Sequence, residues 1–134
     1  MAINAAIIKT STTLAASGGS DLTLTEIGSA KLGFNKFAPT TDTTEVSRRT
    51  FEFSSVAAPV AGGTNTGYGK ARRKVTVKIP RDTGGGVYEH EIWELTCAVP
   101  VTVTAADQLE SRKLVAQTMV DSDFTPFWDV GSLS

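Results

Sequence analysis

A chain of 134 residues is near the commonest size for one domain and can bury a single sizeable core. Its 40% hydrophobic and 20% charged residues fit an ordinary globular protein, and a formal charge of −1 excludes a globally basic binder, so any basic surface must be local and balanced elsewhere. One cysteine, Cys97, excludes an intrachain disulfide, and one histidine, His90, leaves no Cys/His cluster for structural zinc.

The N-terminal stretch lacks a charged n-region followed by an apolar core, and no apolar run reaches bilayer length. An intracellular type of chain without a membrane partner is expected. Ile3, Ile7 and Ile8, then the turn signal Ser17-Gly18-Gly19-Ser20-Asp21, then the alternating Leu22-Thr23-Leu24-Thr25-Glu26-Ile27, predict a β-hairpin over residues 1–27. Gly28 and Gly33 punctuate the next stretch, and Leu32, Phe34 and Phe37 predict a short strand before Pro39.

Residues 45–56 alternate again. Phe51 and Phe53 share one parity; Arg48, Thr50, Glu52 and Ser54 share the other. A flexible connection through Gly62, Gly63 and Gly67 leads to the most patterned stretch of the chain. From Arg72 to Ile79, Arg72, Lys74, Thr76 and Lys78 fall on one parity, and Arg73, Val75, Val77 and Ile79 on the other. As a strand this segment presents one basic, hydroxyl-bearing face and one largely β-branched face. Arg81, Asp82, Thr83, Gly84, Gly85 and Gly86 then read as a mobile loop. The last strand spans 87–103, with Trp93, Leu95, Cys97 and Val99 on one face and Tyr88, His90, Glu94 and Thr96 on the other. Cys97 is expected as a buried thiol acting as a small hydrophobe.

The period changes at Thr104, where Thr104-Ala105-Ala106-Asp107 has the form of a capping box. Ala105, Ala106, Leu109, Ala116, Met119 and Val120 fall within one broad helical stripe, with Leu114 and Val115 on its flanks, which predicts a helix buried on more than one side. Thr125-Pro126 starts a further turn, and Phe124, Phe127, Trp128 and Leu133 form an apolar tail. Strands first and helices last predict an α+β fold, one domain over 1–134 with an N-terminal hairpin (1–27), a sheet (30–103) and a C-terminal helical region (104–134). One helix is too little to cover a wide sheet, so a partner chain is expected to supply a second.

Catalysis is not expected. There is no Gly-x-Ser-x-Gly, no Walker-type loop and no Gly-x-Gly-x-x-Gly after a strand, and His90 lies roughly 13 Å along the strand from Glu94. No cofactor is implied. The basic strand leaves two readings open: a solvated face balanced by Glu52 and Glu94, or a phosphate-binding face whose Thr, Ser and Tyr88 meet unpaired bases.

Several stretches together resemble the coat proteins of single-stranded RNA bacteriophages, the levivirus type. Leu22 to Ile27 is similar to the close of that family's N-terminal hairpin, and Arg72-Arg73-Lys74-Val75-Thr76-Val77-Lys78-Ile79-Pro80 to its basic strand ending in Pro. Glu94-Leu95-Thr96 followed by Pro100 resembles the end of its last strand, and Glu110-Ser111-Arg112-Lys113-Leu114 the start of its long helix. The resemblance implies an N-terminal hairpin plus a five-stranded antiparallel sheet and a C-terminal helix, in an intertwined dimer whose two sheets join edge to edge. It implies a shell of dimers, usually T=3, within a virion assembled in the bacterial cytoplasm. It further implies that the bare sheet face binds genomic RNA and a stem-loop that represses replicase translation, and that a maturation protein joins the particle.

Carried over by position, the resemblance puts Arg48, Thr50, Arg72, Lys74, Thr76 and Lys78 on the RNA side. Tyr88 and Glu94 join them by parity, and residues 81–86 form the inter-dimer loop. The loop is short and has no cysteine for cross-linking shells. A non-assembling RNA-binding regulator and a β-protein without RNA are the alternatives.

Overall fold

The computed structural model describes residues 22–31, 33–57 and 69–131. Five strands, β1 (Leu24–Lys31), β2 (Phe34–Pro39), β3 (Thr50–Val56), β4 (Lys70–Gly84) and β5 (Val87–Pro100), pair in chain order as one antiparallel sheet. The expected first arm of the N-terminal hairpin lies outside the described residues. Its second arm is β1 of the sheet, running past Ile27 to Lys31 along β2. Gly28, expected as a boundary, sits inside β1 where the register slips, which is a usual place for a strand glycine.

Each turn has its own local cause. Gly33 joins β1 to β2 at φ 79°, and an added Cβ there would lie 2.5 Å from the Ser55 carbonyl oxygen. Glycine is therefore required twice, for the left-handed conformation and for the approach of β3. Residues 45–47 form a 3-10 turn instead of the start of a strand, and β3 begins at Thr50. Asp42 holds this corner: its carboxylate accepts from the Arg49 backbone N–H (3.0 Å) and from Arg49 Nε and Nη2 (2.8 and 2.9 Å).

The expected mobile loop at 81–86 is corrected to a tight hairpin. β4 continues through Arg81, Asp82 and Thr83, Arg81 opposes Glu89, and only Gly85 and Gly86 lie between the strands. Gly84, Gly85 and Gly86 all have positive φ, a backbone path that other residues resist. Pro80 is accommodated inside β4 because the β3 ladder stops at Lys78, so a missing N–H takes nothing from that neighbour.

Alternation sorts the sheet into two faces. Rows Phe51–Val77–Trp93 and Phe53–Val75–Leu95 cross β3, β4 and β5 on the apolar side, and Phe37 meets Phe53 edge-on at 5.8 Å. Val75, Val77 and Ile79 are half-buried, while Phe53 remains 40% and Leu95 39% exposed. Cys97 is corrected from a buried to an exposed thiol, as is its neighbour on the same face, Leu95.

The helical region forms a second unit. α1 (Ala105–Val120) opens with the expected capping box: Thr104 Oγ1 accepts from the Asp107 N–H, and the Asp107 carboxylate accepts from the Thr104 N–H. The Thr104 hydroxyl and backbone N–H hold the Asp107 carboxyl below its ordinary pKa. The expectation of burial on more than one side is not met within one chain. Leu109, Val115 and Val120 are exposed, and the buried residue of α1 is Gln117. After a 3-10 turn (Ser122–Phe124), α2 (Thr125–Val130) starts with Pro126 in its first turn and is tied back to α1 by the Trp128 indole donating to the Thr118 carbonyl at 2.6 Å. No helix among the described residues is long and apolar enough to cross a membrane.

Candidate RNA-binding face

The polar face is a grid set by register. Lys36, Glu52, Thr76 and Glu94 form one row across β2, β3, β4 and β5, and Phe34, Ser54, Lys74 and Thr96 form the next. Thr50, Lys78 and Ile92 lie on one side of these rows, and Val56, Arg72 and Ala98 on the other. Backbone geometry thus gathers Thr50, Arg72, Lys74, Thr76, Lys78 and Glu94 on one surface, as their parity predicts.

The charges pair along two diagonals and, for Lys36 and Glu52, directly across one row. Lys74 Nζ lies 2.6 Å from Glu94 Oε1. Lys78 Nζ lies 3.3 Å from Glu52 Oε1, and Lys36 approaches the same oxygen at 3.6 Å. Diagonal neighbours on adjacent antiparallel strands are within reach of such long side chains. Thr76 lies at the centre of this ring and is only 7% exposed. Its expected contact with RNA is therefore screened by the four charged groups around it. Phe34, Glu52, Ser54, Lys74, Thr76, Lys78 and Glu94 together line a shallow hollow of about 180 Å³.

The other expected site residues fall outside this cluster. Arg48 precedes β3 and directs its guanidinium to backbone carbonyls, Nε to Asp42 at 3.1 Å and Nη2 to Thr43 at 3.5 Å. Thr50 is on the face, yet its hydroxyl is buried without a hydrogen-bond partner. Arg72 is exposed at the margin of the grid. Tyr88 has the right parity but opposes Asp82 near the hairpin, about 20 Å along the strand from Glu94. Beyond the grid, on the apolar side, Glu91 accepts from the Trp93 indole at 2.6 Å and from Arg81 at 2.9 Å. These two bonds, the indole's the stronger, hold the Glu91 carboxyl below its ordinary pKa. The hairpin at residues 81–86 is itself braced by the Thr83 hydroxyl donating to the Val87 carbonyl and the Gly84 N–H to Asp82 Oδ1.

Sequence reasoning missed three members. Lys36 reaches Glu52 from β2, and Phe34 supplies the aromatic wall of the hollow. The signal for Phe34 is its parity: it lies an odd number of residues from Phe37, so the two rings cannot share a face. Ile92, 55% exposed beside Lys78, is hidden in the sequence among the polar neighbours of β5. Among the described residues no group of His, Cys, Asp and Glu is arranged to hold a metal ion.

No protein-family model and no curated protein matches the chain. Solved structures do. The chain of the virus-like particle of bacteriophage GQ-907 is 25% identical, with 98% of each chain covered and a TM-score of 0.83. That of bacteriophage ESE058 is 16% identical over 81% of this chain and 84% of the other, with a TM-score of 0.65. That of Beihai levi-like virus 32 is 15% identical over 87% and 91%, with a TM-score of 0.64. A five-stranded antiparallel sheet followed by C-terminal helices, matched this closely, is the coat-protein fold of the levi-like RNA bacteriophages.

Proposed function

We propose that the protein is the structural subunit of an icosahedral bacteriophage capsid, with its polar sheet face turned inward onto genomic RNA. The likeness to the GQ-907 particle chain over 98% of both chains carries this reading. Local features support it. Among the described residues β5 is a 14-residue strand at the margin of the sheet, and an edge of that length calls for a covering partner. Pairing β5 with β5 of a second copy gives a continuous sheet across a two-fold axis. Helices supplied by that copy answer the exposure of Phe53 and Leu95, and the same exchange buries Leu109, Val115 and Val120. The dimer is then the folding unit, and T=3 is the shell proposed for its assembly in the bacterial cytoplasm around RNA and a maturation protein.

On the inner face, Arg72, Lys74 and Lys78 neutralise phosphates, and the hollow beside Phe34 accepts a flat unpaired base. Ser54 and Glu94 offer hydrogen-bonding atoms at its rim. In this reading Tyr88 extends the RNA face toward the hairpin, and residues 81–86 make the contacts between dimers. Binding of a stem-loop at this face would repress replicase translation. The role is structural, without catalysis.

Expression in a bacterium followed by electron microscopy and nuclease digestion tests the reading. Closed particles that protect host RNA are expected. A monomer or dimer that binds RNA without particles would replace it with the regulator reading, and particles that exclude RNA would remove the inner-face assignment.

A further inference from the structure

Three lysines of the polar face, Lys36, Lys74 and Lys78, are already engaged. Glu52 receives Lys36 and Lys78 on one oxygen and is only 18% exposed, whereas Glu94 holds Lys74 and is 53% exposed. We infer that Glu52 and Glu94 are specificity-determining residues, built-in competitors that keep these lysines from binding phosphate indiscriminately and favour RNA bases that carry an exocyclic amine. The inference rests on the RNA-facing reading and names how that face chooses.

A phosphate approaching Lys74 or Lys78 must displace or crowd a carboxylate, so backbone charge alone gains less here than on a purely basic face. The exposed Lys74–Glu94 pair is displaceable, so binding is attenuated and not abolished. The hollow also presents carboxylate oxygens on two sides, from Glu52 and Glu94, with Phe34 in its wall. A carboxylate accepts hydrogen bonds and cannot donate them. An amino group such as cytosine N4 satisfies it, whereas uracil turns a carbonyl oxygen toward it and is repelled. Cytosine and uracil are of the same size and differ in the group at C4 and in the proton on N3, so the pair reports which hydrogen-bonding edge the carboxylates accept. The two glutamates should differ in degree. Glu52 is fixed by two ammoniums and more buried, while Glu94 can turn toward solvent and yield Lys74.

Fluorescent oligouridylate and oligocytidylate of equal length, titrated against the full-length chain over a range of salt, test this. Wild type is expected to prefer oligocytidylate. Glu52→Gln and Glu94→Gln should each tighten oligouridylate binding roughly three- to tenfold and steepen its salt dependence by about 0.7 in log–log slope per phosphate gained. Their gain for oligocytidylate should be smaller, so the preference narrows. Because Glu52 braces three strands, Glu94→Gln, at a more exposed position, keeps the test valid should Glu52→Gln fold poorly. Lys74→Ala with Lys78→Ala separates the two failures. If wild type binds neither oligomer, or the lysine variant binds both as well as wild type, the RNA-facing reading falls and this inference with it. If the lysine variant loses binding while the glutamine variants match wild type in affinity and base preference, the inference alone is overturned.

Discussion

The two faces of the sheet share the same strands and the same register, yet they satisfy themselves in opposite ways. On the polar face Glu52 and Glu94 draw in Lys36, Lys74 and Lys78, and Thr76 is enclosed by side chains of this chain alone. On the apolar face Phe53 and Leu95 stay about two-fifths exposed although the branched Val75 lies between them in the same row. Long charged side chains can lie across a sheet and partner one another, whereas flat apolar surface needs a second layer. The polar face is thus locally complete and the apolar face is not.

The largest expected effect comes from breaking the incomplete face. Phe53→Asp places a carboxylate on surface that the capsid reading buries against a second copy, where an unpaired charge costs several kcal/mol. Particles should disappear, with monomer or aggregate in their place by size-exclusion chromatography and microscopy. If the face is open in solution, particles and solubility should survive. Next in size is Lys74→Ala with Lys78→Ala on the complete face. Assembly should persist while protected RNA falls, and affinity should weaken about equally across sequences, with a shallower salt dependence.

The contrast between the faces also explains how much of the structure is legible in the sequence. Strict alternation from Arg72 to Ile79 places every side chain of that stretch on its correct face, and the capping box at Thr104 locates the start of α1. Those signals are local, and backbone geometry converts them directly into structure. Lys36 and Phe34 are not visible as members of the site, because membership depends on pairing β2 with β3, a contact between segments remote in sequence. The exposure of Cys97 and of α1 escapes the sequence for a related reason. Apolar pattern reports that burial is wanted, and it does not say which chain provides it. The hairpin at 84–86 reads as a mobile loop because glycine runs suggest flexibility, although three positive φ values in succession describe one specific turn.

A smaller effect is expected at the corner that leads into the strand bearing both faces. The Arg49 side chain, as hydrogen-bond donor and as charge, lowers the Asp42 pKa to about 2 from its ordinary 3.8. A folded pKa below the unfolded one means the contribution is fully present above about pH 4 and lost as pH falls through about 2. The pair is partly solvent-screened, so Asp42→Asn should cost about 1 kcal/mol in urea unfolding at pH 7. The loss should be largely gone about one unit below that folded pKa, where both proteins carry a neutral side chain. An undiminished difference at that pH would assign the effect to the backbone bond from Arg49 N–H instead of to charge.

The smallest expected effect concerns Thr50, where the two faces make different demands on one residue. Its parity places it beside Lys78 on the polar face, but its hydroxyl is buried and unpartnered. A buried hydroxyl without a partner carries a desolvation cost that an isosteric methyl does not. Thr50→Val should therefore leave stability unchanged or raise it by up to about 1 kcal/mol, measured by urea unfolding. RNA affinity and base preference should stay as in wild type, because that oxygen is shut off from solvent. A loss of RNA affinity at unchanged stability would mean that the hydroxyl turns outward when RNA arrives, making the row of Thr50, Lys78 and Ile92 part of the binding surface. The completeness of the polar face would then describe only its free state.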